Sequence, residues 1–406
     1  MNDVWAMAGG DTPKVPVPVT AGFSDRGPVL SVTWAFDHAF PEQARDPGGH
    51  DASSFTNFFL HPEANLALIS SGYSVGRFTI EKTVPEDSEA WRWVRVGTYS
   101  VLATAGGYLA HEAGHFHHNS EDEGPTSDGH IGFYDALSTL GGINANLEAA
   151  QALLLRPYEG EMSDIAYLVH KMDPFFYEVG QEFLVFDGLK YGDSEGDMAG
   201  YRRFRHGRSD RFDEGSTTAL AFWSLADTVP AIHRLFRYGR TGEHAENPYG
   251  SGGWALKTTG ALSPIGVRLG LRGYYFLEGH NDMPSALSTE IWSSPVRQGG
   301  EEVDFPFGVE MAATRMPLPL RLGAHRIAAS GRFVYSRQEA AGWKITEDLP
   351  LWDTNLLAGG GGVHFQAEVG EFFTQVFYKE KGFIPRELFA EGWTVLVGMN
   401  FFPGEF

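Results

Sequence analysis

"GWTVLVGMNFF", residues 392–402, decides how this chain folds. Trp393, Val395, Val397, Met399 and Phe401 alternate with Thr394, Gly398 and Asn400. Successive side chains of a strand point to opposite faces, so this spacing gives a strand with one apolar and one polar face. The pattern recurs upstream. In "GVRLGLRGYYF" (266–276), Val267, Leu269, Leu271 and Tyr275 oppose Arg268, Gly270 and Arg272. In "EVDFPFGVEM" (302–311), Val303, Phe305, Phe307, Val309 and Met311 oppose Glu302, Asp304 and Glu310. In "GVHFQAEVG" (362–370), Val363, Phe365, Ala367 and Val369 oppose His364, Gln366 and Glu368. Counting hairpins such as "LPLRLGAHRIAASGRFVYSRQ" (318–338), about nine such segments fill the C-terminal third.

The polar face carries full charges of both signs. A soluble sandwich would bury the apolar face, whereas a membrane barrel turns it to lipid and lines its lumen with the polar one. Glycine at 50 residues and aromatics at 14% fit strand-rich walls with polar loops. The closing "NFFPGEF" resembles the assembly signal of bacterial outer-membrane barrels, with Pro403 and Gly404 interrupting its last residues. The expected fold is therefore α+β: an antiparallel transmembrane β-barrel of about 8–12 strands, with a large helical domain. Residues 1–60 read as an N-terminal arm with possible barrel strands, "KVPVPVT" and "VLSVTWAF". Residues 61–245 read as the helical domain, and 246–406 as the barrel strands.

Charge and composition narrow the partners. Acidic residues outnumber basic ones by 52 to 31, a formal charge of −21. Phosphate binding needs a basic surface, so nucleic acid is not expected, nor a polybasic hold on anionic lipid. There is no cysteine. Disulfides, thiolate zinc sites and a cysteine nucleophile are excluded, and any metal must be held by nitrogen and oxygen. No stretch reaches the roughly 20 apolar residues of a spanning helix, so a membrane reading requires strands. The start, "MNDVWAMAGGDTPKVPVPVT", has neither a basic end nor an apolar run, so the chain is either cytoplasmic or a mature form given without its signal peptide, and the outer-membrane reading takes the second.

Within the helical region, "SEAWRWVRVGTYSVLATAGGYLAHEAGHFHH" (88–118) has apolar and small residues near the helical period, and Ser88 stands at its start as a cap. Further helices are expected over 141–158, ended by Pro157; over 163–186, interrupted at Pro174; and over 216–239.

The first of these ends on His111-Glu112-Ala113-Gly114-His115. Four residues is about one helical turn, so both imidazoles leave one face and can grip one Zn²⁺. Glu112 lies just off that face, where it can take a proton from water acidified by the metal. The stretch resembles the zincin metallopeptidases of the branch whose third ligand is a glutamate on a later helix. The resemblance spans Trp91 to Leu154 and not the strands. It implies His111, His115 and Glu148 (in "GGINANLEAAQALL") as metal ligands and Glu112 as general base. His117, His118 and His130 are possible additional ligands, with Asp128 and Asp135 also close in sequence.

These readings give an outer-membrane zinc-dependent hydrolase, most simply a metallopeptidase, acting on a peptide or envelope component. Outer-membrane lipid would surround it, and partner membrane proteins are possible. The alternative is a non-enzymatic outer-membrane barrel, a channel or scaffold component with a helical plug and at most structural metal. A soluble two-domain metalloenzyme would also fit the motif, but not the glycine and aromatic content.

Overall fold

A computed structural model describes residues 28–39, 62–119, 133–183, 198, 201, 211–244, 246–263, 266–280, 283–298, 302–323, 325–338, 355–380, 382–385 and 391–402. The segment "KVPVPVT" and residue His130 lie outside them.

Strand β1 (Leu30–Ala39) comes first. Six helices follow among the described residues: α1 (Pro62–Thr83), α2 (Glu89–Asn119), α3 (Phe133–Leu153), α4 (Glu161–Phe183), α5 (Arg211–Leu225) and α6 (Val229–Thr241). Then come β2 (Trp254–Ser263), β3 (Gly266–His280), β4 (Met283–Ser293), β5 (Val296–Gln298), β6 (Glu302–Asp304), β7 (Phe307–Leu322), β8 (His325–Arg337), β9 (Asn355–Ala367), β10 (Gly370–Lys379) and β11 (Gly392–Phe401). The protein is α+β, with one antiparallel sheet of nine strands in the order β1-β11-β10-β9-β8-β7-β4-β3-β2. β5 and β6 form a separate two-stranded ribbon.

Several helix and strand limits differ from those the sequence implies, each for a local reason. "EVDFPFGVEM" is two strands, because Pro306 has no N–H for the ladder; its carbonyl instead accepts from the Ser294 N–H at 2.8 Å. α4 runs unbroken through Pro174. An interior proline costs about 3 kcal/mol, and packing of α4 on α2, α3 and α5 outweighs it. The segment 216–239 is two helices, the second starting with Pro230 in its first turn and ending at Gly242. Gly242 has φ +76° and its N–H reaches the Tyr238 carbonyl at 2.8 Å, the left-handed stop that glycine adopts without steric cost.

The strands alone do not close into the expected barrel. β1 and β2 are the two edges, and no ladder joins them. Helices cover both. Against β1, Ser71 Oγ takes the Ser31 N–H at 2.6 Å and donates to the Ser31 carbonyl at 3.0 Å, while Ser74 Oγ takes the Val29 N–H at 2.7 Å. Against β2, Asn144 bonds both backbone groups of Leu262 at 2.8 Å each, and Gln151 Nε2 donates to the Thr258 carbonyl at 3.0 Å. An open edge is a row of unmet backbone groups. Here α1 packs on β1 and α3 on β2.

The sheet exposes an apolar face and buries a polar one. Its outward face exposes Trp254 (75%), Leu256 (66%), Ile291 (60%), Phe307, Met311, Phe372, Trp393, Met399 and Phe401. Its inward face buries Arg268, Arg272, Glu290, Glu310, Arg315, His364, Glu371 and Asn400. The charges are matched: Arg268 and Arg272 both bond Glu290, and Arg272 also reaches Glu310 at 2.9 Å. The alternation read from the sequence therefore runs apolar outward and polar inward. Helix α2 also exposes apolar side chains, Trp91, Val94, Val101, Tyr108 and Leu109. No described helix is long and apolar enough to cross a membrane by itself.

Candidate metal centre at the crossing of two helices

The HEAGH segment lies in the last two turns of α2, where α2 crosses α3 at close range. Two glycines permit that approach. A Cβ on Gly114 would stand 2.1 Å from the Gly141 carbonyl oxygen. A Cβ on Gly142 would stand 2.6 Å from His115 Nε2 and 2.7 Å from His111 Nε2. The bare backbone of α3 thus packs directly over the two imidazoles.

His111 is buried, at 3% exposure, and His115 is half-buried. Their Nε2 atoms are 3.0 Å apart, as the one-turn spacing requires. His111 Nδ1 faces Asp173 Oδ2 of α4 at 3.0 Å, and its ring stacks on Tyr177 with centroids 4.7 Å apart and planes 2° from parallel. Asp173 holds the proton on Nδ1, so the Nε2 lone pair is the one turned to His115. Two zinc-bound nitrogens at about 2.0–2.1 Å in tetrahedral geometry stand about 3.3 Å apart. The pair needs only a small opening to match that. A carboxylate on the far ring nitrogen is the usual orienting partner of a zinc-binding histidine. The described residues thus supply two nitrogen donors and an orienting carboxylate, short of the three protein ligands that a catalytic zinc takes.

The other candidates are placed differently. Glu112 is half-exposed and hydrogen-bonds Tyr108 one turn back, on the exposed flank of α2. Glu148 is a buried residue of α3 whose charge acts on Arg272 and Tyr274 of the sheet. It lines a small space with Ala110, Ala145 and Glu63. Among the described residues no three His, Asp or Glu side chains come together to hold a metal. His117 and His118 belong to the helix α2, their side chains falling outside the description, as do the side chain of Asp135 in α3 and all of Asp128.

Asp173 and Tyr177 were not legible from the motif. Asp173 lies 62 residues beyond His111, on a helix whose proline pointed to a break. Its only sequence signal is an acidic residue on the helix after next. His170, one turn before, is a buried structural histidine, held by Asn146 at 2.5 Å and Tyr73 at 3.0 Å. Compared with known proteins, the chain matches no family model, no curated protein and no solved structure.

Proposed function

We propose that this chain is a zinc-dependent hydrolase seated in a bacterial outer membrane, with a peptide or another envelope component as substrate. One observation supports the chemistry above all: the Nε2 atoms of His111 and His115 converge to 3.0 Å with Asp173 fixing the far side of the first ring. Zinc at that place would polarise a carbonyl and acidify water. His111 and His115 would hold it, Asp173 would orient His111, and Glu112 would move from Tyr108 to accept the proton of the attacking water. Glu148 remains the third ligand proposed by resemblance. It would have to turn from the sheet interior towards the histidine pair.

The membrane setting is supported by the two faces of the sheet. Buried, mutually paired charges and an apolar outer belt are the arrangement of a lipid-facing wall around a polar lumen. In this reading the nine strands span the bilayer. The helices covering β1 and β2 complete the enclosure, so that no open edge meets hydrocarbon.

A second reading has its own observation. The α3 backbone at Gly142 lies against both Nε2 atoms, leaving little room for a substrate carbonyl. That favours a structural metal in a plugged, non-enzymatic barrel. Elemental analysis of the detergent-purified protein, with peptide hydrolysis measured alongside, separates the readings. About one zinc per chain, absent from His111→Ala, together with hydrolysis lost in Glu112→Gln, supports the enzyme. Zinc without hydrolysis supports the plug, and no zinc even after loading removes both metal readings.

A further inference from the structure

The inward face of the sheet carries a second group of reactive side chains, far from the HEAGH motif in sequence. Ser330 Oγ of β8 lies within hydrogen-bond distance of His364 Nε2 of β9, at 2.7 Å. His364 Nδ1 faces Glu371 Oε1 of β10 at 2.9 Å. We propose that Ser330, His364 and Glu371 form a serine-hydrolase triad, a hydrolytic centre independent of zinc, acting on a carboxylic ester.

The register builds this chain of hydrogen bonds. Ser330 pairs with Gly362 on β9, which puts His364 on the diagonal two residues on, along the same face. Gln366 pairs with Glu371 across the β9–β10 hairpin, which brings the carboxylate beside His364 from the other side. A nucleophile bonded to a base, itself oriented by an acid, is recognised by geometry and not by chain order.

The acid is held fast. Glu371 receives Asn400 Nδ2 at 2.7 Å and Arg315 Nε at 3.2 Å, and its own exposure is 3%. A carboxylate so held keeps the proton on His364 Nδ1, leaving Nε2 free to accept from the serine. His364 also packs face to face with Phe373, at a centroid distance of 5.6 Å.

The nucleophile is aimed by a backbone irregularity. The β7–β8 register shifts between Ala313 and Met316, and Arg315 within that bulge has φ +52°. Bulges re-aim side chains, and a non-glycine residue held in the left-handed region marks a place where the surroundings impose the conformation. Freed from the ladder, the Arg315 N–H donates to Ser330 Oγ at 2.9 Å. With one oxygen lone pair so occupied, the hydroxyl proton is directed at His364. The same bulge sends the Arg315 side chain to Glu371, so one residue supports both ends of the triad.

A place for substrate lies beside it. Ser330, His364 and Arg315 line a cavity of about 200 Å³ between the sheet and helices α1 and α3. Arg156 and Arg332 line it too. Glu63 and Glu310 line it as well, with Arg332 paired to Glu310 at 3.1 Å, and Arg156 would face the charge of the tetrahedral oxyanion. That volume suits an ester with a short acyl chain.

The reaction balances with water as the only co-reactant. Ser330 Oγ bonds to the ester carbonyl carbon while its proton passes to His364 Nε2. The carbon–oxygen bond to the alcohol breaks, and the departing oxygen takes the proton from His364. Water then attacks the acyl-serine, gives a proton to His364, and releases the carboxylic acid as Ser330 regains its hydrogen.

The test uses the full chain in detergent micelles. A fluorophosphonate probe should add one label per chain at Ser330, read by intact mass and peptide mapping. p-Nitrophenyl butyrate should be hydrolysed at a rate unchanged by EDTA, which keeps this outcome separate from the fate of the zinc reading. Ser330→Ala should abolish labelling, and both it and His364→Gln should lower hydrolysis at least about 100-fold, with unfolding midpoints near that of the wild type. Ser330→Cys, which retains a nucleophile, checks folding through retained labelling by a thiol-reactive chloromethyl ketone. A folded wild type that neither labels nor hydrolyses the ester, or a Ser330→Ala protein that labels equally, would overturn the proposal.

Discussion

The side-chain amide of Asn144 occupies the place of a neighbouring strand beside Leu262. Its Nδ2 donates to the Leu262 carbonyl and its Oδ1 accepts the Leu262 N–H, both at 2.8 Å. Both residues are buried. Asn144→Ala removes the two bonds and leaves two backbone groups of an edge strand unmet, at about 1–3 kcal/mol each. Asn144→Asp keeps the acceptor and loses the donor to the carbonyl, adding charge. We expect Ala to lower the stability in micelles by about 2–4 kcal/mol, read from urea unfolding. An unchanged midpoint would mean that β2 does not depend on α3 for its edge.

In the proposed zinc site Asp173 would act only through His111, whose Nδ1 it faces at 3.0 Å. An orienting carboxylate typically contributes 10–100-fold in metal affinity. Asp173→Asn should therefore weaken zinc binding by about 10–100-fold in a competition titration against a chromogenic chelator, while His111→Ala abolishes it. Equal affinity in Asp173→Asn and wild type would show that the 3.0 Å contact between Asp173 and His111 serves packing alone.

Adjacent positions on β4 point to opposite environments and separate a lipid-facing wall from a soluble sheet. Ile291 is 60% exposed on the outer face, while its neighbour Glu290 is 1% exposed and bonds Arg268, Arg272 and Thr259. In water, a surface substitution such as Ile291→Arg stays within about 0.5 kcal/mol. Facing lipid near the midplane, it costs about 2–4 kcal/mol. We expect the larger cost, measured by refolding into vesicles. Glu290→Gln should cost about 3–5 kcal/mol, because two buried guanidinium groups lose their shared counter-charge.

The strands were readable because alternation of apolar and polar residues is a short-range signal of period two. It is visible in residues 392–402 without knowing what they pair with. Helix α2 was readable from its apolar spacing and from Ser88, whose Oγ stands 3.4 Å from the Trp91 N–H. α1 was not. It buries Leu66, Ile69 and Tyr73 but exposes Leu68 and Val75, so no polar face marks it off. The covering of the sheet's edges by helices depends on contacts such as Asn144 with Leu262, 118 residues apart, which no local pattern encodes. Ser330 and His364 are likewise brought together only by strand register, and the bulge at Arg315 that aims the serine has no glycine to announce it.

His244, in the loop after α6, gives the helical region a pH dependence of definite sign. A hydrogen bond from Nδ1 to Glu161, 3.2 Å away, raises its pKa, with the charges of Glu161, Glu86 and Glu81 adding to the effect and burial opposing it. A raised folded-state value means the protonated form binds more tightly in the folded protein. The stability it contributes is complete below the unfolded value of about 6.5 and is lost as pH rises through the folded value. The ring is half-exposed, so solvent weakens the effect. Unfolding midpoints of wild type and His244→Ala should therefore differ most near pH ~5.5 and converge by pH ~8.5. A gap that widens with rising pH would show that the neutral ring, not the imidazolium, is the form Glu161 holds.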